Sequence, residues 1–441
     1  MFPKLFAYEC KRGLAWLSLV LLTVCACKKS TTTEQKIAYD PSSPVTISRI
    51  TPDSGGVSTQ LMIYGSNFGE DTSIIKVYIN GKPAPVVGTN GSSIYVLVPS
   101  KAGTGEVKVI IGDHSTKQEV IAPVGFRYIY YPRVSTLAGF TDKDGKTAIV
   151  DGPINKAQFQ EPYWLCFDEK KNIYLLEDRL GMRFINAEKT EVTTKFLKGN
   201  GMDRPRTLAF NPTWDTLYIT NDQWDWTGLS TGIATRADNF SRWQSLVYSQ
   251  TTNGGAVQPQ TGEYFFNAYS TGAVFKWDRG AKVSRELFRI GDVNWEFNVQ
   301  FAPSGDFAYI VVVNQAYILK SRYNRETGVL ETPVHFVGGR RSPGHKDGVG
   351  VDARFDNPHQ GAFDEFDNFY VCDVYNHCIR KITPEGVVST FAGRPQKAGY
   401  TDGTLRDAQF HDPRGIIYDQ TTGTFYVADQ LNRRIRTIST E

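Results

Sequence analysis

A short sequence returns along the last two thirds of this chain, and a repeat of this kind constrains the fold before any single motif does. Val388-Ser389-Thr390-Phe391-Ala392-Gly393 restates Val134-Ser135-Thr136-Leu137-Ala138-Gly139. A loop containing Gly and Asp follows each, then Ala157-Gln158-Phe159, Ala353-Arg354-Phe355 or Ala408-Gln409-Phe410, and then a Pro at 162, 358 or 413. Five residues past that Pro lies an aromatic anchor: Phe167, Phe363 and Tyr418. Weaker copies put the anchor at Phe210, Val257 and Phe301, with spacings of 43, 47, 44, 62 and 55 residues. Seven or eight residues beyond each anchor the chain always has Tyr: 174, 218, 264, 309, 370 and 426. Six copies, each reading as four strands joined by turns, predict a six-bladed β-propeller. The last copy stops at Glu441 with no outer strand, so residues 134–139 are expected to supply it, closing the ring and removing a free sheet edge.

Residues 44–131 carry a different pattern. Short alternating strands such as Leu61-Met62-Ile63-Tyr64 and Lys76-Val77-Tyr78-Ile79 are separated by turn clusters, with Asn80-Gly81 as the tightest turn signal, and predict a β-sandwich. Ile47, Pro52, Gly55, the run Ile63-Tyr64-Gly65-Ser66-Asn67-Phe68-Gly69, Val98-Pro99 and Phe126-Arg127-Tyr128 together resemble an IPT/TIG domain. That resemblance implies an immunoglobulin-like module serving as spacer or binding domain, with Phe68 plugging one end.

The repeat resembles the NHL pattern: Pro-x-Gly-Ile/Ala, an Asp ending the next strand, then Asn-x-x-Ile-Arg-x-Ile. Copies five and six match through Asp373, Asn376, Ile379, Arg380 and Ile382, and through Asp429, Asn432, Ile435, Arg436 and Ile438. Copies two to four have lost most of it. The Asp and Arg are expected to pair within a blade as structure rather than to bind ligand. The fold class is therefore all-β, an immunoglobulin-like β-sandwich (44–131) followed by a six-bladed NHL-type β-propeller (132–441).

Ahead of both, Lys4, Lys11 and Arg12 precede an apolar run from Leu14 to Val24, too short for a permanent membrane span and suited to an export signal. Val24-Cys25-Ala26-Cys27 resembles a bacterial lipobox, which implies acylation of Cys27 after removal of the preceding residues. An ordinary signal peptide with incidental cysteines is the alternative. Residues 28–43 then read as a flexible tether. These features imply a lipid-anchored protein of the outer membrane, on its periplasmic or outer face. Beyond the signal, Cys166, Cys372 and Cys378 give no even disulfide framework and read as buried thiols, although Cys372 and Cys378 could face each other across a hairpin. There is no CxxC pair and no HExxH helix, so no metal or cofactor is indicated. With 49 basic and 46 acidic residues and no basic run, nucleic acid is a poor partner.

Ligand chemistry is expected where inner strands converge. Four residues before each anchor stand Tyr163, Arg206, Asn253, Phe297, His359 and Arg414, a ring at one propeller mouth suited to a carboxylate or sulfate, unless these side chains only meet neighbouring loops. A second candidate is a sugar-stacking platform from Trp224 and Trp226, in the stretch Asn221 to Gly228, joined by Trp295; packing between blades is the alternative. Tyr163, His359 and Arg414 could also serve a glycan lyase or hydrolase on paper. Asp142-Lys143-Asp144-Gly145 and Lys346-Asp347-Gly348 read as turn chemistry, lacking the further acids calcium needs. The leading reading is a ligand-binding envelope protein, with polysaccharide as ligand and no catalytic residues; a lyase or hydrolase and a protein-interaction scaffold are the alternatives.

Overall fold

The computed structural model describes residues 37–113, 115–141, 145–222, 228–248 and 251–440. Cys27, the export segment and most of the tether lie outside the described residues, as do Asp142 to Asp144 and both Trp224 and Trp226. Among the described residues there is no α-helix, only strands and short 3-10 turns. The chain divides into two compact units, one comprising residues up to 52 with 60–97 and 106–125, the other 53–59, 98–105 and 126–441.

In the smaller unit, Thr46–Thr51, Gln60–Ser66, Ser93–Leu97 and Val86–Thr89 form one antiparallel sheet, and Lys82–Ala84, Ile75–Ile79, Val107–Ile111 and Gln118–Ile121 form a second. Alternate residues Ile75, Val77 and Ile79 are buried with Val107, Val109 and Ile111, the period-2 burial that a two-layer sandwich requires. Asn80 and Gly81 both take positive φ, as the two-residue hairpin from Ile79 to Lys82 demands. Phe68 is fully buried, and a Cβ on Gly65 would lie 1.9 Å from the Thr46 carbonyl oxygen and 2.5 Å from the Phe68 ring, which accounts for that glycine. Residues 37–43, expected to be flexible tether, are held instead. The Asn67 amide donates to the carbonyls of Asp40 and Ser43, Tyr39 donates its hydroxyl to the Thr116 carbonyl, and Gln118 also donates to Ser43. Side-chain hydrogen bonds to its carbonyls fix a segment that composition alone marks as loose.

The larger unit is a β-propeller. Antiparallel sheets of four or five strands succeed one another, six among the described residues, with inner strands Pro162–Phe167, Pro205–Phe210, Gly255–Val257, Phe297–Phe301, Pro358–Phe363 and Pro413–Asp419. Each inner strand meets the sheet of the next copy, and Pro413–Asp419 meets Pro162–Phe167. Pro132–Ala138 pairs antiparallel with Arg434–Thr440, Val134 opposite Ile438, so the strand that opens this region lies in the sheet that ends it.

A clamp of identical wiring explains the best-preserved motif. Arg183, Arg380 and Arg436 are buried, and each guanidinium stacks 5.2 to 5.3 Å from the Phe of an Ala-x-Phe element: Phe159, Phe355 and Phe410. One terminal nitrogen donates to the carbonyl of the residue before that Phe and to a buried carboxylate, Glu177, Asp373 or Asp429. The other donates to a loop carbonyl and to the Asp of an Asp-Gly pair, Asp151, Asp347 or Asp402. Each Arg thus ties three loop segments of its sheet to one charge, and Asp347, read from sequence as a turn residue, is one of its anchors. Cys166, Cys372 and Cys378 are free thiols.

Candidate functional site

Four of the inner strands start with Pro, which has no N–H to give a ladder. In each, pairing slips just after it: Pro162 faces Glu177 but Trp164 faces Leu176, Pro205 faces Asn221 but Thr207 faces Thr220, and the same shift follows Pro358 and Pro413. The residue after each Pro is left unpaired, Tyr163, Arg206, His359 or Arg414, joined in the fifth copy by Gln360, and such bulges re-aim a side chain out of the sheet. These four come together. The Arg206 guanidinium lies 4.4 Å and that of Arg414 5.7 Å from the Tyr163 ring centroid, and the His359 ring packs edge-on to Tyr163 at 4.7 Å.

Asn253 and Phe297 do not join them, and register is the reason. In the third copy Tyr264 faces Val257, whereas elsewhere the Tyr faces the residue before the anchor, so the true anchor is Gln258 and Asn253 shifts back one place. Asn253 is buried, its side chain accepting from Asn267. The fourth copy has no Pro and no bulge; Phe297 faces Val312 as the prolines face their partners, and it is buried in the apolar core.

Its predecessor takes the vacated role. Glu296, which the repeat count missed, pairs with Arg206 and accepts from the Tyr163 hydroxyl at 2.9 Å, with His359 Nε2 at 3.3 Å. Burial alone would raise this carboxyl, but Arg206 beside it, then His359 and Arg414, hold it well below the usual 4.5. His359 Nδ1 is 3.0 Å from the Arg414 carbonyl oxygen, which can only accept, so Nδ1 carries the ring proton. His359 Nε2 lies 2.6 Å from the Tyr163 hydroxyl oxygen. Burial lowers His359 from its ordinary 6.5, against the pull of Glu296, and drives the Tyr163 phenol upward.

Above this network opens a polar pit of about 260 Å³. Its charged walls are three carboxylates, Glu161, Asp178 and Glu296, and three guanidiniums, Arg204, Arg206 and Arg414. Arg204 bridges Asp178 and Asp222, Arg206 also reaches Asp178 at 3.5 Å, and Arg414 is tied to Gln430 rather than to a carboxylate. Two buried atoms at the walls, Arg206 Nε and Asn357 Oδ1, have no hydrogen-bond partner among the described residues. Tyr375, half exposed, contributes an aromatic edge. Trp295, next in the chain to Glu296, is 44% exposed. Tyr163 and His359 are only 1% exposed and form the floor beneath the pit, out of reach of a substrate. The repeat could have yielded several of these residues: Glu161, Arg204 and Asn357 each precede a strand-opening Pro, and Asp178, Asp222 and Gln430 each follow the last residue of a second strand. Among the described residues, no group of three or more His, Cys, Asp or Glu is placed to hold a metal ion.

Residues 44–128 match the IPT/TIG domain family. Among solved structures, the chain is similar to an auxiliary nutrient binding protein from Bacteroides thetaiotaomicron VPI-5482, 39% identical with a TM-score of 0.73, the match covering 92% of this chain and 99% of that one. An auxiliary nutrient binding protein from Bacteroides ovatus ATCC 8483 is 30% identical, with a TM-score of 0.75 over 92% of this chain and 100% of that one. A putative phosphatase from Bacteroides thetaiotaomicron VPI-5482 is 33% identical, with a TM-score of 0.69 over 92% and 99%. NHL repeat-containing protein 2 of Bos taurus is 33% identical over 115 residues, 24% of this chain and 16% of that protein, so the chain spans a small part of that relative's length.

Proposed function

The chain belongs to the Bacteroidetes proteins that join an IPT/TIG domain to NHL-type repeats, and on that premise we propose that it is a nutrient-binding lipoprotein which holds a neutral polysaccharide segment at the polar mouth of a six-bladed propeller. The observation that carries this reading is the charge balance of the pit. A carboxylate or sulfate ligand, the first expectation for two Arg at one mouth, would compete with Glu296 and Asp178 for the Arg206 guanidinium, which is already paired, and would be left with Arg414 alone. Hydroxyl groups avoid that competition, because they donate to carboxylates and accept from guanidiniums at once. Arg414 and the amides of Asn314, Asn357 and Gln430 extend the same mixed pattern. Tyr375 in the pit wall offers an apolar face for a sugar ring, and the exposed Trp295, next in the chain to Glu296, is the candidate for a second. In this reading acylated Cys27 anchors the protein in the outer membrane, and the immunoglobulin-like domain is its spacer.

A binder is favoured over a lyase or hydrolase working through Tyr163 and His359 because that pair is buried under the pit. Affinity electrophoresis against neutral and acidic polysaccharides, run alongside assays for reducing ends, unsaturated ends and phosphate, tests both points. The expected result is retardation by a neutral polysaccharide, weakened at least fivefold by Arg414→Ala and by Trp295→Ala, with no product. Preference for an acidic polysaccharide, or release of any product, rejects this reading.

A further inference from the structure

The anchor aromatics that revealed the repeat have no part in the polar mouth. Four of them gather at the opposite end of the inner strands, around a funnel of about 460 Å³ to which all six of those strands contribute. Phe167, Phe301, Phe363 and Tyr418 stand at corresponding places around it, each only partly buried. Each packs against another ring, as Phe167 does edge-on with Tyr426 at 5.6 Å and Phe363 stacked on Tyr309 at 5.3 Å. Leu208, Val299 and Ile416 deepen the apolar wall.

The side-chain amides in that wall are already engaged. The Gln360 amide both donates to and accepts from the Leu165 backbone, and Gln300 donates to Asn298 and the His359 carbonyl while accepting from the Gly361 N–H. Lys171 at the rim faces Asp419 at 3.5 Å. A peptide segment entering here would find few partners for its own backbone groups, and an ion would meet only Lys171, which already faces Asp419. A concave, mostly apolar space of this volume suits a small molecule instead. It is also closed off from the pit: His359 touches Trp164 on the funnel side, at 5.9 Å between rings, and Glu296 on the pit side.

We propose that this funnel is a second ligand site, separate from the polar mouth, for an uncharged small molecule with an aromatic or otherwise apolar body. The probe is N-phenyl-1-naphthylamine, an uncharged fluorophore, titrated into the purified full chain and followed by its own emission and by energy transfer from tryptophan. Saturable binding to one site is expected. Ala209→Trp, which fills the funnel, and Ala362→Lys, which places a charge in it, should each weaken binding at least tenfold with an unchanged melting transition. Arg414→Ala, on the polar side, should leave it within twofold. Absence of saturable binding, or affinity within twofold of wild type in whichever wall variant melts normally, overturns the proposal, because the probe then sits elsewhere. An equal loss in Arg414→Ala overturns the separation of the two sites and leaves the polysaccharide experiment unaffected.

Discussion

Glu296 shows how one side chain can govern a mouth assembled from several strands. Its carboxylate is the counter-charge of Arg206, the acceptor for Tyr163 and the neighbour of His359, so its ionisation is coupled to folding. The sign follows from linkage. A carboxyl held below 4.5 in the fold contributes stability that is complete above 4.5 and is lost as pH falls through the folded value. His359, lowered from 6.5, must take up a proton against its surroundings, so stability also falls as pH drops below 6.5. Melting temperatures from pH 7 to 3 should therefore decline in two stages. Glu296→Gln should flatten the lower stage and His359→Gln the upper, and profiles parallel to wild type in both variants would refute the coupling. Sequence alone left Glu296 invisible because its copy lacks the Pro that marks the mouth in four others. That missing Pro was the available signal, since without the bulge every side chain moves one place.

At the scale of the element, the unit of construction is a sheet in which a buried Arg gathers its loops. Arg436 and Asp429 are both fully buried and 2.8 Å apart. Removing one partner strands the other in a low-dielectric site, which costs about 3–5 kcal/mol. Arg436→Leu and Asp429→Ala should each cost that much in denaturant unfolding, and the double variant should cost less than the sum of the two; additive losses would contradict a direct pair. The glycine of Pro-x-Gly-Ile has an equally local reason. A Cβ on Gly415 would sit 2.5 Å from the Tyr163 carbonyl oxygen, a backbone atom of the adjoining inner strand, so Gly415→Ala should destabilise by roughly 1–3 kcal/mol through overpacking. These motifs were legible because charge, aromatic and glycine recur at fixed spacing in one sheet. The same clamp also drew in Asp151, Asp347 and Asp402, of which sequence marked only Asp347, as a turn residue, because their partner lies about thirty residues away along the chain.

For the molecule as a whole, the pairing of Pro132–Ala138 with Arg434–Thr440 joins chain segments some 300 residues apart. Val134 is fully buried there, in a cluster with Tyr370, Ile416 and Ile438. An unpaired carboxylate at this seam should cost several kcal/mol, and at roughly 2–4 °C per kcal/mol Val134→Asp should melt about 10 °C lower in calorimetry. A midpoint within 2 °C of wild type would mean that the seam contributes little. The sequence by itself determined the all-β class, the two kinds of domain, and the residues whose partners lie within one sheet, because strand period, turn chemistry and fixed spacing are local physics. Only the tertiary structure decided which end of each inner strand became polar and which apolar. It also decided that Glu296 rather than Phe297 faces the pit and that Tyr163 and His359 lie beneath it. Those outcomes depend on the register of each strand against its neighbour, where a single bulge present or absent exchanges a charged side chain for a buried ring.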